Sequence, residues 1–414
     1  MPGESQTGSP LDIPAIRAQF PLLKRQVHDK PLVYLDSAAT TPKPRVVIDA
    51  VEAYYAHGTA NVHRAAHALS IEATEAFEGA RRRIAAFIKA ASSNEIVFTR
   101  SATEAVNLVA NAYAAQALDS GDEILVTEME HHANIVPWQL LRDRLGIELR
   151  VAPMDDRGIL DMDAFRNLIN DRTKLVAATW VSNALGTVNP IEEMVGLARQ
   201  AGATALVDAT QAMPHQTVDV QALGADFIVF SGHKMYGPTG IGCLWGRETL
   251  LESMPPWQGG GDMIEQVTFE KTTWNSLPWK FEAGTPHIAG AIGLGAAIDW
   301  LSNLTMDAIA SYEQSVVQTL ETTLASIPRV TLIGKPVHRA AAVSFLVDGL
   351  HPHDVGTMLD RHGIAVRTGH HCAQPTMQHF DVPATVRASV GVFNDESDIN
   401  ALDMALRRVI EVFG

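Results

Sequence analysis

Short apolar, β-branched runs alternate with stretches of helical period along the first two thirds of the chain: 95–99 then 104–118, 123–127 then 135–145, 175–181 then 191–201. Parallel strands need a long crossover, most often a helix, so this alternation predicts an α/β fold with a mainly parallel sheet covered by helices. Two more strands, 205–207 and 227–230, run directly into Asp208 and into the turn Ser231-Gly-His-Lys234. Open α/β sheets bind ligands at the carboxyl edges of their strands, so Thr99, Asp208 and Ser231 are expected to converge.

The flanks read differently. Residues 1–10 are polar and Pro-containing, and the amphipathic stretch 11–20 leads to a short strand at 31–35. No basic start precedes an apolar core there, so no signal peptide is expected and the location expected is cytoplasmic. The most apolar stretch, 287–301, contains Asp299 and falls short of a membrane span, which needs about 20 residues. It reads as a buried helix. Residues 257–286 are rich in Gly, Trp and Pro without helical period and suggest a long excursion or a β-ribbon. After Met306 two amphipathic helices surround strands near 341–346 and 364–367, which predicts a smaller α+β domain. The organisation expected is an arm at 1–30 packing on the small domain, a large domain at 31–300 and a small C-terminal domain at 301–414.

A net charge of −15, from 32 basic and 47 acidic residues, disfavours nucleic acid and membrane surfaces as partners and favours small molecules and proteins. Only two cysteines are present, too few for a disulfide framework. Cys243 lies in the apolar run Gly240-Ile-Gly-Cys-Leu-Trp245 and reads as core. Cys372 lies in Arg367-Thr-Gly-His-His-Cys372, a polar loop whose basic neighbours favour an available thiolate.

The residues at the strand ends suit one chemistry. Lys234, held over a strand edge, becomes a nucleophilic amine able to form a Schiff base, although a lone lysine in a turn is more often a surface residue. Asp208 suits the protonated ring nitrogen of a pyridoxal cofactor, the alternative being a helix N-cap. Gln211, one turn on, is placed to bond the ring's phenolic oxygen. The loop Thr99-Arg-Ser-Ala-Thr-Glu104 precedes a helix and offers an anion site, with Thr103, Ser231 and His233 as phosphate donors; Ser101 and Glu104 also read as a capping box. His131, in Glu128-Met-Glu-His-His-Ala-Asn134, follows a strand and suits stacking on the ring and proton handling. The His-His pairs lack a second cluster at zinc spacing, so no metal is expected.

These segments resemble the fold-type-I pyridoxal-phosphate enzymes of aminotransferase class V and, within them, the SufS-type, group II cysteine desulfurases. The likeness runs from Val33-Tyr-Leu-Asp-Ser-Ala-Ala-Thr-Thr-Pro42 to Arg387-Ala-Ser389. It is carried most by residues 128–138, Ser231-Gly-His-Lys234, Phe281-Glu-Ala-Gly-Thr-Pro286 and the Cys372 loop. The resemblance implies a seven-stranded, mainly parallel sheet in the large domain, pyridoxal 5'-phosphate bound through Lys234, and a homodimer in which Thr285 reaches the partner's phosphate. It implies that Arg387, helped by Asn183, binds the substrate carboxylate, and that His63 and Arg64 line the same entrance. Ser101 stands where relatives commonly carry Gly, and Ser-Val-Gly-Val-Phe-Asn394 departs from the more usual aromatic-Asn-Thr ending.

The implied reaction converts L-cysteine to L-alanine: Lys234 takes the α-proton, and Cys372 takes the sulfur as a persulfide. A SufE- or SufU-like acceptor then carries the sulfur to iron–sulfur cluster assembly. The competing readings are a selenocysteine lyase or cysteine-sulfinate desulfinase, another class V lyase of kynureninase type or an aminotransferase, and a non-enzymatic scaffold. Cys372 is needed only for the desulfurase, and a scaffold has no use for Lys234, Asp208 and Cys372 together.

Overall fold

The computed structural model describes residues 11–413; the segment 1–10, read above for targeting signals, lies outside the described residues. Seven strands, all largely buried except β3, form the central sheet: β1 (Ile96–Thr99), β2 (Glu123–Thr127), β3 (Glu148–Ala152), β4 (Thr173–Thr179), β5 (Thr204–Asp208), β6 (Phe227–Ser231) and β7 (Gly242–Gly246). Their spatial order is β1-β7-β6-β5-β4-β2-β3. Strand β7 alone runs antiparallel to its neighbours, and every other pairing is parallel. Strands covered on both faces must be apolar throughout, which is why the inner segments are mostly apolar, while the edge strand β3 carries Glu148 and Arg150.

The expected strand at 175–181 begins two residues earlier and ends at Thr179, leaving Val181 in an isolated bridge with Val188. The expected helix at 104–118 starts at Ala102, because the Ser101 hydroxyl caps it, and it contains a π-helical turn at Val109–Ala114. The stretch 257–286 holds the ribbon Ile264–Val267 paired with Thr272–Trp274. The apolar stretch became the buried helix Ile288–Leu304, which packs between Arg45–His57 and Ala68–Phe87. Gly293 there lies so close to Pro238 that a Cβ would approach it to 2.5 Å. Among the described residues no helix is long and apolar enough to cross a membrane.

Beyond the long helix Met306–Ser326 a second, antiparallel sheet forms from β8 (Val330–Ile333), β9 (Ala342–Val347), β10 (Arg367–Gly369) and β11 (Thr385–Ser389), in the order β8-β9-β11-β10. The strand expected at 364–367 is divided. Ile364–Ala365 pairs in parallel with Val33–Tyr34, and only from Arg367 does the chain join β11.

The two sheets are stitched together between residues 182–188 and 334–344. Gly186 sits at φ +74°, and a Cβ on it would lie 2.3 Å from the Ala342 carbonyl oxygen, so only glycine fits. Ala340 N–H donates to the Gly186 carbonyl at 2.8 Å, Ser344 Oγ to the Ala184 carbonyl at 2.6 Å, and the buried Arg339 guanidinium to the carbonyls of Leu185 and Gly334.

On the other side of the main sheet, Arg81 is 1% exposed, ion-paired to Glu282 at 2.6 Å and to Glu78 at 2.8 Å, and donates to the Ile96 carbonyl. Glu282 in turn accepts the Phe98 N–H at 2.6 Å, so this network fixes β1 just before the loop 99–103. Replacing Arg81 by Leu strands two carboxylates in a dry site. Urea unfolding of Arg81→Leu is expected to show a loss of about 3–5 kcal/mol, the usual effect of breaking a buried pair.

Candidate active site

At the carboxyl edge of the main sheet Thr99, Thr127, Thr179, Asp208 and Ser231 end β1, β2, β4, β5 and β6. Strand β7 begins at this edge with Gly242, whose Cβ would meet the Ser101 Cα at 2.7 Å, so glycine lets the loop 99–102 lie on the strand. A cavity of about 200 Å³ opens there. It brings together eight of the expected residues: Thr103, His131, Asn183, Asp208, Gln211, Ser231, His233 and Lys234.

The Lys234 amine is pushed down to about 8 by burial and by the cations Arg387 and Arg367, with Asp208 pulling the other way. Asp208 is 6% exposed, accepts the Thr210 N–H at 2.9 Å, and has no ion-pair partner among the described residues. Gln211 Nε2 donates to the Ala38 carbonyl at 2.9 Å, which holds the amide at the cavity wall. His131 Nδ1 accepts the Ala133 N–H at 3.0 Å, and burial, with Lys234 adding to it, pushes the imidazole down to about 3. It is neutral at all ordinary pH values.

The loop 99–103 caps its helix as the sequence suggests: Ser101 Oγ accepts the Glu104 N–H at 3.4 Å, and Glu104 accepts the Arg100 N–H. Ser101 is fully extended, with φ at −173°, a conformation open to any residue, so serine is accommodated there without strain. Ser231 Oγ accepts the Ala102 N–H at 2.8 Å and ties the loop to the lysine turn.

Cys372 is half-buried at the cavity's rim. Its Sγ lies 3.6 Å from Arg367 Nη2, and Arg367 itself lines the cavity. Cys372 is also near enough to Lys234 to act on its amine electrostatically. His371 and Cys372 have φ of 54° and 56°, two consecutive non-glycine residues in the left-handed region. Cys243 lies fully buried in β7 as core.

Arg387 stands behind this cavity rather than in it. Its side chain is wholly buried, donates to the Asn183 carbonyl at 2.8 Å and to Asp36 Oδ1 at 3.3 Å, and leaves Nε without a partner. Asn183 meets Arg387 through its main chain, while its side-chain amide donates to the His371 carbonyl at 2.6 Å. His63 and Arg64 are drawn away by carboxylates, His63 to Glu78 at 2.8 Å and Arg64 to Asp262 at 2.6 Å, and line a separate cavity. Thr285 faces a third, with Arg100, Glu104 and His287.

Three residues at the site went unread. Asp36 stood inside a quoted segment without a role, whereas Arg367 was read only as a basic neighbour of Cys372. Thr210 Oγ1 is buried and unpartnered at the cavity. Glu130 is wholly buried and accepts from Thr127 Oγ1, Asn134 Nδ2 and the Thr179 N–H, joining the ends of β2 and β4; burial raises its carboxyl to about 8. A second acid three residues after the end of a strand was the only signal for it.

Residues 33–402 match the family Aminotransferase class-V. The chain belongs to that family. It is 52% identical over 400 residues to a cysteine desulfurase of Salmonella gallinarum, covering 96% of this chain and 98% of that one. Among solved structures it is similar to the Escherichia coli cysteine desulfurase CsdA, with a TM-score of 0.91 at 39% identity over 98% of this chain and 100% of the other. The cysteine desulfurase of Thermococcus onnurineus gives 0.90 at 39% identity, over 95% and 98%. The fold is the type I architecture of these class V enzymes.

The cavity fits pyridoxal 5'-phosphate on its own chemistry. Asp208 is a nearly buried carboxylate lacking a cation, as a pyridinium nitrogen requires. Thr210 Oγ1 lacks a partner, Lys234 offers an amine, and Thr103, Ser231 and His233 gather donors at a helix start. In cofactor-free protein the pH dependence of Lys234 acetylation, followed by mass spectrometry, is expected to have its midpoint near pH 8. Asp208→Asn removes the group that raises it, so the midpoint moves lower still.

Proposed function

We propose that this chain is a pyridoxal-phosphate-dependent cysteine desulfurase, converting L-cysteine to L-alanine and keeping the sulfur as a persulfide on Cys372. The observation that carries this reading is the placement of a half-buried thiol beside Arg367 at the rim of the cavity that holds Lys234 and Asp208. A transaminase or a lyase acting only on carbon has no need of that thiol.

The cofactor, when bound, supplies an electron sink conjugated to the substrate's α-carbon. The chain's own groups do the rest. Asp208 would keep the ring nitrogen of the bound cofactor protonated, and His131, neutral in cofactor-free protein, would stack on the ring and relay protons there. Gln211 would bond the phenolic oxygen, while Thr103, Ser231 and His233 would hold the phosphate. Lys234, with an amine near 8, is unprotonated often enough at neutral pH to take the α-proton and return one later. The Cys372 thiolate attacks the substrate sulfur: an S–S bond forms as the C–S bond breaks, sulfur is oxidised to the sulfane level, and the carbon fragment takes the electron pair and protons to leave as L-alanine. Arg367 steadies the thiolate, and Arg387 is the carboxylate-binding guanidinium once its unpartnered Nε is presented to substrate.

Within this reading the enzyme is a cytoplasmic homodimer. The separation of Thr285, His63 and Arg64 from the Lys234 cavity of their own chain supports completion of each site by a second copy. The divided chain then reads as an arm at 1–30, a large domain at 31–300 and a small one at 301–414. The acceptor is a small protein thiol of SufE or SufU type that attacks the persulfide and feeds iron–sulfur cluster assembly.

The test pairs wild type with Cys372→Ala. The wild type absorbs as a yellow protein and releases alanine and sulfide from L-cysteine with a thiol reductant. Cys372→Ala stays yellow, loses essentially all turnover of L-cysteine and still eliminates selenium from L-selenocysteine, whose selenium leaves without the protein thiol. Cysteine turnover that survives the substitution would sink the proposal.

A further inference from the structure

The two His-His pairs of the sequence divide in space. His131 lines the Lys234 cavity, and His371 is buried against the Thr385 hydroxyl at 2.7 Å. The remaining two meet each other outside the cavity, with His132 and His370 ring centroids 5.5 Å apart. Both touch the main chain of the cysteine loop. His132 N–H donates to the Cys372 carbonyl at 2.8 Å, His132 Nε2 accepts the Gln374 N–H at 3.1 Å, and His370 Nδ1 accepts the Cys372 N–H at 3.1 Å.

The loop between these contacts is strained, since His371 and Cys372 both hold positive φ. L-residues with a Cβ avoid that region, and such a conformation persists only where the surroundings over-determine it. His370 belongs to the same loop and moves with it. His132 comes from the edge of the main sheet, 240 positions away in the chain from the loop it holds, counted to Cys372 (372 − 132). Burial and the neighbouring His370 lower its imidazole below the ordinary histidine value, so it is neutral and its Nε2 lone pair is free to accept.

We propose that His132 is the positioning residue that locks the Cys372 loop in its left-handed conformation, its imidazole accepting the Gln374 N–H while its main chain holds the Cys372 carbonyl. This rests on the desulfurase reading for its purpose, since the lock keeps the thiol beside Arg367 and toward Lys234. It makes one His-His pair serve both the cavity, through His131, and the thiol, through His132.

The test uses the holoenzyme as wild type, His132→Ala and His132→Gln, with iodoacetamide alkylation of each cysteine followed by peptide mass spectrometry. Cys243 is wholly buried and reports general loosening. Without the imidazole, alkylation of Cys372 is expected to quicken by roughly five- to tenfold, the factor one net hydrogen bond is worth. The kcat for alanine release should fall by a similar factor with KM little changed. Gln carries an amide oxygen about where Nε2 lies, so His132→Gln should return both rates toward wild type. An unchanged alkylation rate in His132→Ala overturns the proposal, as does a Gln variant that behaves like Ala, or Cys243 becoming reactive alongside Cys372. A wild type that releases no alanine from L-cysteine defeats the desulfurase reading, while the alkylation comparison still judges the lock.

Discussion

A wholly buried guanidinium stays in a fold only where its charge is met on the spot, and Arg387 is met by two distant parts of the chain. It projects from β11, and its partners are the Asn183 carbonyl, in the connection after β4, and the Asp36 carboxylate, from the segment that follows Val33–Tyr34. Satisfying this one cation therefore draws the second sheet, the main sheet and the N-terminal segment to a common point. The cavity lies at that point. Burial lowers Arg387 to about 10, so it keeps its proton at neutral pH and the contacts remain charge-assisted.

Charges of both signs then crowd one dry volume. Burial raises the Asp36 carboxyl while Arg387 pulls it down, and the Lys234 amine is lowered by burial yet raised by Asp208. Each group's protonation is thus set by its neighbours as much as by its own chemistry, the arrangement through which active sites tune acids and bases. Glu130, accepting three hydrogen bonds behind His131, extends the same arrangement into the sheet.

The parallel sheet was legible because its strands are buried on both faces and announce themselves as apolar runs, and its polar edge was legible because Asp208 and Ser231 interrupt those runs. Asp36 was harder for the same reason that it matters: its partner lies across the fold, 351 positions away. No local period encodes such a contact. The division of 364–367 between two sheets follows from tertiary pairing with Val33–Tyr34, which a window of a few residues does not contain. Arg387 was read through a family likeness as a substrate ligand, and its burial behind the cavity became visible only in three dimensions. His63 and Arg64 likewise carry nothing in their spacing to announce Glu78 and Asp262 as their partners.

The seam at Gly186 bears on how such a site opens. Backbone lies against backbone there, with no side chain between the Gly186 Cα and the Ala342 carbonyl, and Arg339 and Ser344 donate across the seam to the Leu185 and Ala184 carbonyls. Layers joined this closely do not rotate apart as rigid bodies around a bound molecule, because the rotation would break at once the four bonds Ala340–Gly186, Val188–His338, Arg339–Leu185 and Ser344–Ala184. Admission of a small substrate is left to the side chain of Arg367 at the rim, because the turn that carries Cys372 is itself held by His132. The enzyme is built as a fixed basin with an adjustable lip.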